Sequence, residues 1–250
     1  MTDVAPALKA ADKTAHLRKR FYKSVGVMPG EGGYQISLDG RAVKTPGKTD
    51  VLVSTQSLAD AIAAEWEAQE EHINPHTMPL TQIACTAIDK VAPNRDDICA
   101  QMTRFCGADL LCYRAESPQD LVQRQTDTWQ PVLDWLAEVR GISLRSTTAM
   151  IAEDQAPEAM QGARAAVDAM DDHELASMAV LTQALGSFTL ALAAMDGYLD
   201  WQQAAEASQL DETFQSELWG KDREAEIRLR ALRDDVESAI RYLTLHRTKN

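Results

Sequence analysis

The residues with the widest chemical range in this 250-residue chain are its five histidines, four cysteines and a few serines and glycines in short patterns. His72 and His76 are four apart, a spacing that on one helical face would let two imidazoles share a metal ion. Pro75 lies between them and no Glu follows as in H-E-x-x-H, so a solvated turn is the better reading. His173 stands beside Asp171 and Asp172, where acids at a helix start act as caps. Ser187 sits in Gly186-Ser187-Phe188 without the second glycine of a nucleophile elbow, and reads as a small residue that lets helices approach. Gly30, Gly32 and Gly33 have no lysine at Walker spacing and no helix after them, and a hairpin turn accounts for them. The five scattered histidines supply no set of nucleophile, base and orienting group. No catalytic, metal or cofactor residue is therefore expected.

The cysteines, Cys85, Cys99, Cys106 and Cys112, form no C-x-x-C pair and lie among apolar neighbours, as buried reduced thiols would. The formal charge of -13 disfavours sequence-independent binding to nucleic acid or an anionic membrane. That charge is uneven. Residues 1–48 carry nine Lys/Arg against four Asp/Glu, and the rest carries 16 against 34. The uncharged run 176–195 is interrupted by Ser177, Thr182, Gln183, Ser187 and Thr189, which fits a buried helix better than a membrane span. The N-terminus has no apolar core of a signal peptide, so a cytoplasmic location without stable membrane insertion is expected.

The elements that would position such residues fall into two kinds. Beyond a frayed lead-in over 1–17, residues 20–27 and 34–38 read as strands joined by a turn over 28–33. Asp39-Gly40 is a second turn, and Val51-Leu52-Val53 a further short strand. From Ser54 or Thr55 the period changes to helical, with Leu58, Ala61, Ile62 and Trp66 on one face until Ile73-Asn74-Pro75. Further helices are expected over about 81–90 and from Pro93-Asn94, with a short strand or linker at 109–114. A helix starting at Ser117-Pro118 should be kinked or split by Pro131 and ended by Gly141. After Pro157 the pattern is helical throughout: one buried helix over 172–195, then 198–207, 210–219 and 222–245. The fold class expected is α+β, a small β-rich N-terminal domain over 18–92 followed by a larger helical domain over 93–250.

Three segments exceed generic filler. Arg20-Phe21-Tyr22-Lys23 pairs with a stretch from Leu38-Asp39-Gly40 to Thr45-Pro46. Glu65-Trp66, inside a helix, is followed by Met78-Pro79-Leu80-Thr81 and Thr86-Ala87-Ile88-Asp89. Phe214-Gln215-Ser216-Glu217-Leu218-Trp219-Gly220 closes the set, and Trp129-Gln130-Pro131-Val132 lies between. In this order and at these separations they resemble the family of F1-ATP synthase assembly chaperones that bind the unassembled α subunit. The resemblance covers about residues 20–245. It implies a β-rich N-terminal and an all-helical C-terminal domain, no nucleotide hydrolysis, no cofactor and no small-molecule substrate. It implies a chaperone that covers the α-subunit surface later taken by β, and a bacterial cytoplasmic member in the absence of a targeting extension.

On that resemblance the partner-binding residues expected are Phe214, Gln215, Glu217, Trp219 and Gly220. A carboxylate at Glu217 beside Trp219 can pair with a basic group of the partner while the indole supplies contact area. The alternative is that Trp219 is core and Glu217 merely solvated. Trp66, which closes an apolar stripe, reads as structural. Two other function classes stay open: a small enzyme whose site is assembled from distant residues, and a nucleic-acid adaptor using Arg18, Lys19, Arg20 and Lys23.

Overall fold

The computed structural model describes residues 17–149, 154–220 and 223–248; the lead-in expected over 1–17 lies, but for Leu17, outside them. A four-stranded sheet forms the head. β2 (Val25–Gly30) pairs antiparallel with β3 (Gly33–Leu38), Gly30 opposite Gly33, so the turn is only Glu31-Gly32. Met28 and Pro29 were expected in that turn; they stay in register because β2 is an edge strand, where a missing ladder donor costs little. β4 (Arg41–Ala42) and β5 (Leu52–Val53) both pair with β3. β5 comes so close that a Cβ on Gly33 would lie 2.3 Å from the Val53 carbonyl oxygen. A separate two-stranded sheet joins β1 (Arg18–Lys19) to β6 (His72–Ile73). Two-residue strands carry no readable period, and β6 was not foreseen.

α1 (Gln56–Glu67) is capped by Thr55, whose hydroxyl accepts from Leu58 N at 3.2 Å. α2 (Pro79–Thr86) starts two residues earlier than its apolar pattern indicates. The reason is Glu65 on α1. Its carboxylate accepts from the Leu80 and Thr81 amides at 2.7 and 2.8 Å and from the Thr81 hydroxyl at 2.7 Å, satisfying donors at the helix start. A π turn over Ala87–Val91 and a 3-10 turn over Ala92–Asn94 lead into α3 (Arg95–Gly107).

Residues 109–114, read as a strand or linker, instead hold a 3-10 turn at Leu110–Cys112. α4 (Gln119–Arg140) runs unbroken through Pro131 and ends at Gly141 with φ 68. Pro131 and Asp127, the residue whose carbonyl loses its donor, are both exposed, so water replaces the missing bond and the helix survives. The helix expected over 172–195 is two helices, α6 (Asp172–Leu185) and α7 (Phe188–Met195), separated by Gly186 with φ 64. Ser187, read as a small residue between helices, is fully buried and also caps α7, its hydroxyl accepting from Leu190 N at 3.0 Å. α5 (Pro157–Asp168), α8 (Trp201–Ser208), α9 (Leu210–Trp219) and α10 (Arg223–Arg247) complete the body.

One apolar core runs from Tyr22 in the head to Leu243 in α10. Buried polar struts cross it. Asp109, fully buried, accepts from Leu111 N at 3.0 Å, and from Ser187 Oγ, Thr189 N and Thr189 Oγ1 at 2.8 Å each. Burial pushes its pKa up, while four donors on an acceptor-only group work the other way. Three of the cysteines are buried and Cys85 only half-buried; all four are free thiols. Among the described residues no helix is long and apolar enough to cross a membrane.

Candidate functional site

The segments singled out in the sequence divide into two groups once they are placed. The first two hold the head to α1 and α2. Arg20 donates to the backbone carbonyls of Glu67, at 2.9 Å, and Gln69, and its guanidinium lies 4.6 Å from the Tyr22 ring centroid. Tyr22 donates its hydroxyl to the Trp66 carbonyl at 2.7 Å, and the two rings meet edge-on with centroids 5.7 Å apart. Asp39 accepts from the Lys23 and Ser24 amides, which hold its carboxyl below the usual range. Asp89 accepts from Thr45 Oγ1 and Gly47 N, both at 2.7 Å, and a Cβ on Gly47 would sit 2.6 Å from that carboxylate. These residues are spent on the fold. Trp66 is half-buried against the core, as expected of a structural residue.

The third segment lies where packing runs out. α9 sends only Phe214 into the interior. Arg124 of α4 covers that ring, 5.2 Å from its centroid, and pairs with Glu217 at 2.8 Å. Gln125 donates to Asp211 at 2.8 Å and fixes the other end of α9. Glu217 was expected to await a basic group of a partner; in this structure Arg124 already occupies it, with both side chains about half exposed (50% and 47%). Trp219 is 85% exposed, which removes the alternative that it belongs to the core. Gln215 is exposed, and Gly220, with φ 96, ends the helix in a region closed to L side chains. Leu218 (62% exposed) and Ile227 on α10 (60%) lie close in sequence to Trp219. Leu218, though inside the singled-out segment, was not named as a contact, and Ile227 and Arg124 were not foreseen: Ile227 looked like an ordinary helix position, and Arg124 is 93 residues from the acid it pairs with.

Between α9 and the first half of α10 lies an open groove of about 580 Å³, with Leu229 and Leu232 on its floor. Both leucines are half-buried, and Leu232 packs against the core from the groove. A smaller hollow of about 480 Å³ continues the groove towards Arg124 and Glu206.

A second cluster had no sequence signal. His246, at the end of α10, meets Ser54 Oγ at 2.9 Å through Nδ1 and Asp171 at 2.7 Å through Nε2. His173 lies 5.0 Å away, ring to ring, with its Nδ1 2.6 Å from the Tyr242 hydroxyl. Burial, and then the neighbouring His246, holds the His173 pKa below its usual value. Burial works against Asp171, yet the bonds from His246 and the Glu174 amide hold it down to about 2. Two histidines thus do gather, with a serine and an aspartate in hydrogen-bonding line. Asp171 is also the cap of α6, and Ser54 also reaches the His246 carbonyl. Each group is spent on anchoring the end of α10, and the arrangement is a strut. Among the described residues no group of three or more His, Cys, Asp or Glu is placed to hold a metal ion.

Comparison with known proteins bears on the chain as a whole rather than on this site. Residues 19–137 match the family described as ATP12 chaperone protein. The crystal structure of Atp12 from Paracoccus denitrificans is similar, with 40% identity, a TM-score of 0.88, and coverage of 92% of this chain and 99% of that one. An Agrobacterium tumefaciens protein of solved structure is 39% identical, with a TM-score of 0.87 over 92% of this chain and 86% of its own. The mitochondrial protein atp12 of Schizosaccharomyces pombe is 26% identical over 214 residues, 81% of this chain and 74% of the yeast protein.

Proposed function

This chain belongs to the ATP12 chaperone family, and on that basis we propose that it works in F1-ATP synthase assembly by holding the unassembled α subunit. It covers the subunit surface that β later occupies and yields α when β arrives. Turnover plays no part in this; the chain needs no nucleotide, metal or cofactor, and acts in the bacterial cytoplasm.

The observation that carries this reading is the corner at which α9 turns into α10. Trp219, Leu218 and Ile227 are large apolar side chains left in water, next to a half-exposed ion pair and above an open groove. An exposed aromatic flanked by charge is the anatomy of a protein-binding hot spot. Elsewhere most motif residues are consumed by internal hydrogen bonds, Phe21 (57% exposed) being the exception, and this corner holds three of the exposed large apolar side chains. Phe214 supports it from beneath, and Gly220 ends α9.

Size-exclusion chromatography with isolated F1 α subunit, and with β as the control, tests the reading. Co-elution with α and not with β is expected. Failure to co-elute with α across a range of salt, or equal co-elution with β, would overturn it.

A further inference from the structure

The groove at the proposed docking corner is electrically two-sided, and we propose that it takes an amphipathic helix of the client whose apolar stripe is flanked by basic residues on one side and acidic residues on the other. This inference rests on the reading above and specifies what the corner recognises.

The two helices that form the groove are anchored separately. α9 packs on α4 and α8, whereas α10 packs chiefly on α6, α8 and α2. Between them Leu229 and Leu232 form an apolar floor. A trough between two helices with an apolar floor is the form that receives a third helix, through side chains at i, i+3, i+4 and i+7.

The walls carry opposite charge. Glu206 of α8 and Glu212 of α9 line one side. Arg228 and Arg233 of α10 line the other. All four side chains are exposed. Three other charged groups border the space. Glu226 is an acid on the α10 side near its free end. Arg124 is engaged with Glu217, and Asp127 accepts from Gln123 at 2.8 Å. Glu226 offsets one of the two arginines and leaves the α10 wall net positive, while Arg124 and Asp127 are of opposite sign.

A helix lying on Leu229 and Leu232 would therefore turn its basic flank to Glu206 and Glu212 and its acidic flank to Arg228 and Arg233. Charges at the rim of an interface fix orientation and partner choice more than they add affinity. A client helix with both flanks basic or both acidic would meet one repelling wall. Turning a helix end for end exchanges its two flanks, so the polarity of the groove sets the direction in which a client helix lies.

The test uses fluorescence anisotropy of a labelled helical peptide of about 18 residues, with a leucine stripe, a lysine flank and a glutamate flank, at low salt. Control peptides carry lysine on both flanks or glutamate on both. The wild-type chain is expected to bind the mixed peptide about tenfold more tightly than either control. Reversing one wall, by Glu206→Lys with Glu212→Lys or by Arg228→Glu with Arg233→Glu, is expected to weaken the mixed peptide about tenfold. Reversing both walls together restores it, because the peptide then lies the other way round. The melting temperatures of the variants stay near wild type, since every changed side chain is at the surface.

Absence of mixed-peptide binding, indifference to wall reversal, or a four-residue variant that stays weak would each overturn the inference. So would concentration-dependent dimerisation of the chain that either wall reversal abolishes, which would assign the groove to a second copy. Capture of α subunit with no preference for the mixed peptide would sink this inference and leave the chaperone reading standing. The converse pattern would do the reverse.

Discussion

At the junction of head and body, aromatic and charged side chains are packed and mostly hydrogen-bonded, with Trp66 Nε1 buried without a partner; at the α9–α10 corner the same residue types are left in water. Tyr22, Trp66 and Arg20 pack edge-on, stack and donate to carbonyls, whereas Trp219 is 85% exposed and Glu217 has one half-exposed partner. The junction spends its polar groups because they are partly desolvated, and an unpaired buried donor or acceptor costs about 1–3 kcal/mol. Exposed large apolar side chains gathered near one helix end are what a surface covered by a partner for part of the protein's life looks like. A distinctive motif therefore has two different causes in one chain. Asp39, Glu65 and Asp89 are needed to fold it, and the 214–220 segment is the part left over for a partner.

That contrast is most easily broken at its buried extreme. Asp109→Ala removes the acceptor of four donors in the interior, and a loss of about 3–5 kcal/mol in urea unfolding is expected. A loss under about 1 kcal/mol would mean that the strut is not structural. Glu65→Ala frees the Leu80 and Thr81 amides at the start of α2 and should cost about 2 kcal/mol, the upper range for a lost helix cap.

The strut at the end of α10 should show as a pH dependence. The folded pKa of His173 lies below its unfolded value, so the fold favours the neutral ring. The stability it contributes is complete above the unfolded pKa of about 6.5 and is lost as pH falls through it. Asp171, held down to about 2, contributes above the ordinary aspartate range and loses that only as pH falls towards 2. Between about pH 7.5 and 5.5 His173 is thus the group in this pair that titrates. Denaturation across that range should show falling stability, with a flatter profile for His173→Gln. An equally steep profile in the variant would assign the dependence elsewhere.

The smallest stability effects belong to the corner, where binding should respond instead. Glu217→Lys breaks an exposed ion pair and places like charge beside Arg124, for about 0.5–1 kcal/mol in stability. Co-elution with α should fall by about tenfold or more, as for loss of a hot-spot residue. Trp219→Ala should leave unfolding within about 0.5 kcal/mol and also weaken capture of α. A large drop in melting temperature in either variant would place the corner among the structural elements.

Much of this was legible in the sequence, and most of the exceptions share a cause. The hairpin, the Thr55 cap of α1, the ends of α4 and α9 and the β-then-helical order follow from local turn chemistry and periodicity. The break at Gly186-Ser187 had a local signal too, a glycine helix stop followed by a serine cap, which the uncharged run outweighed. β6 and the early start of α2 depend on distant partners, Arg18–Lys19 and Glu65, which no local signal announces. The same holds for Arg124 against Glu217, which turned an expected free carboxylate into a paired one. Exposure of Trp219 was open in the sequence because an aromatic on a helix with few apolar neighbours fits a core or an interface equally.

The most direct measurement is hydrogen exchange of this chain alone and with F1 α subunit, read peptide by peptide. Slowed exchange confined to residues 210–233, with the strands of the head unchanged, is the predicted result. Protection of residues 25–53 with none at α9 and α10 would contradict it and move the client-holding surface to the head.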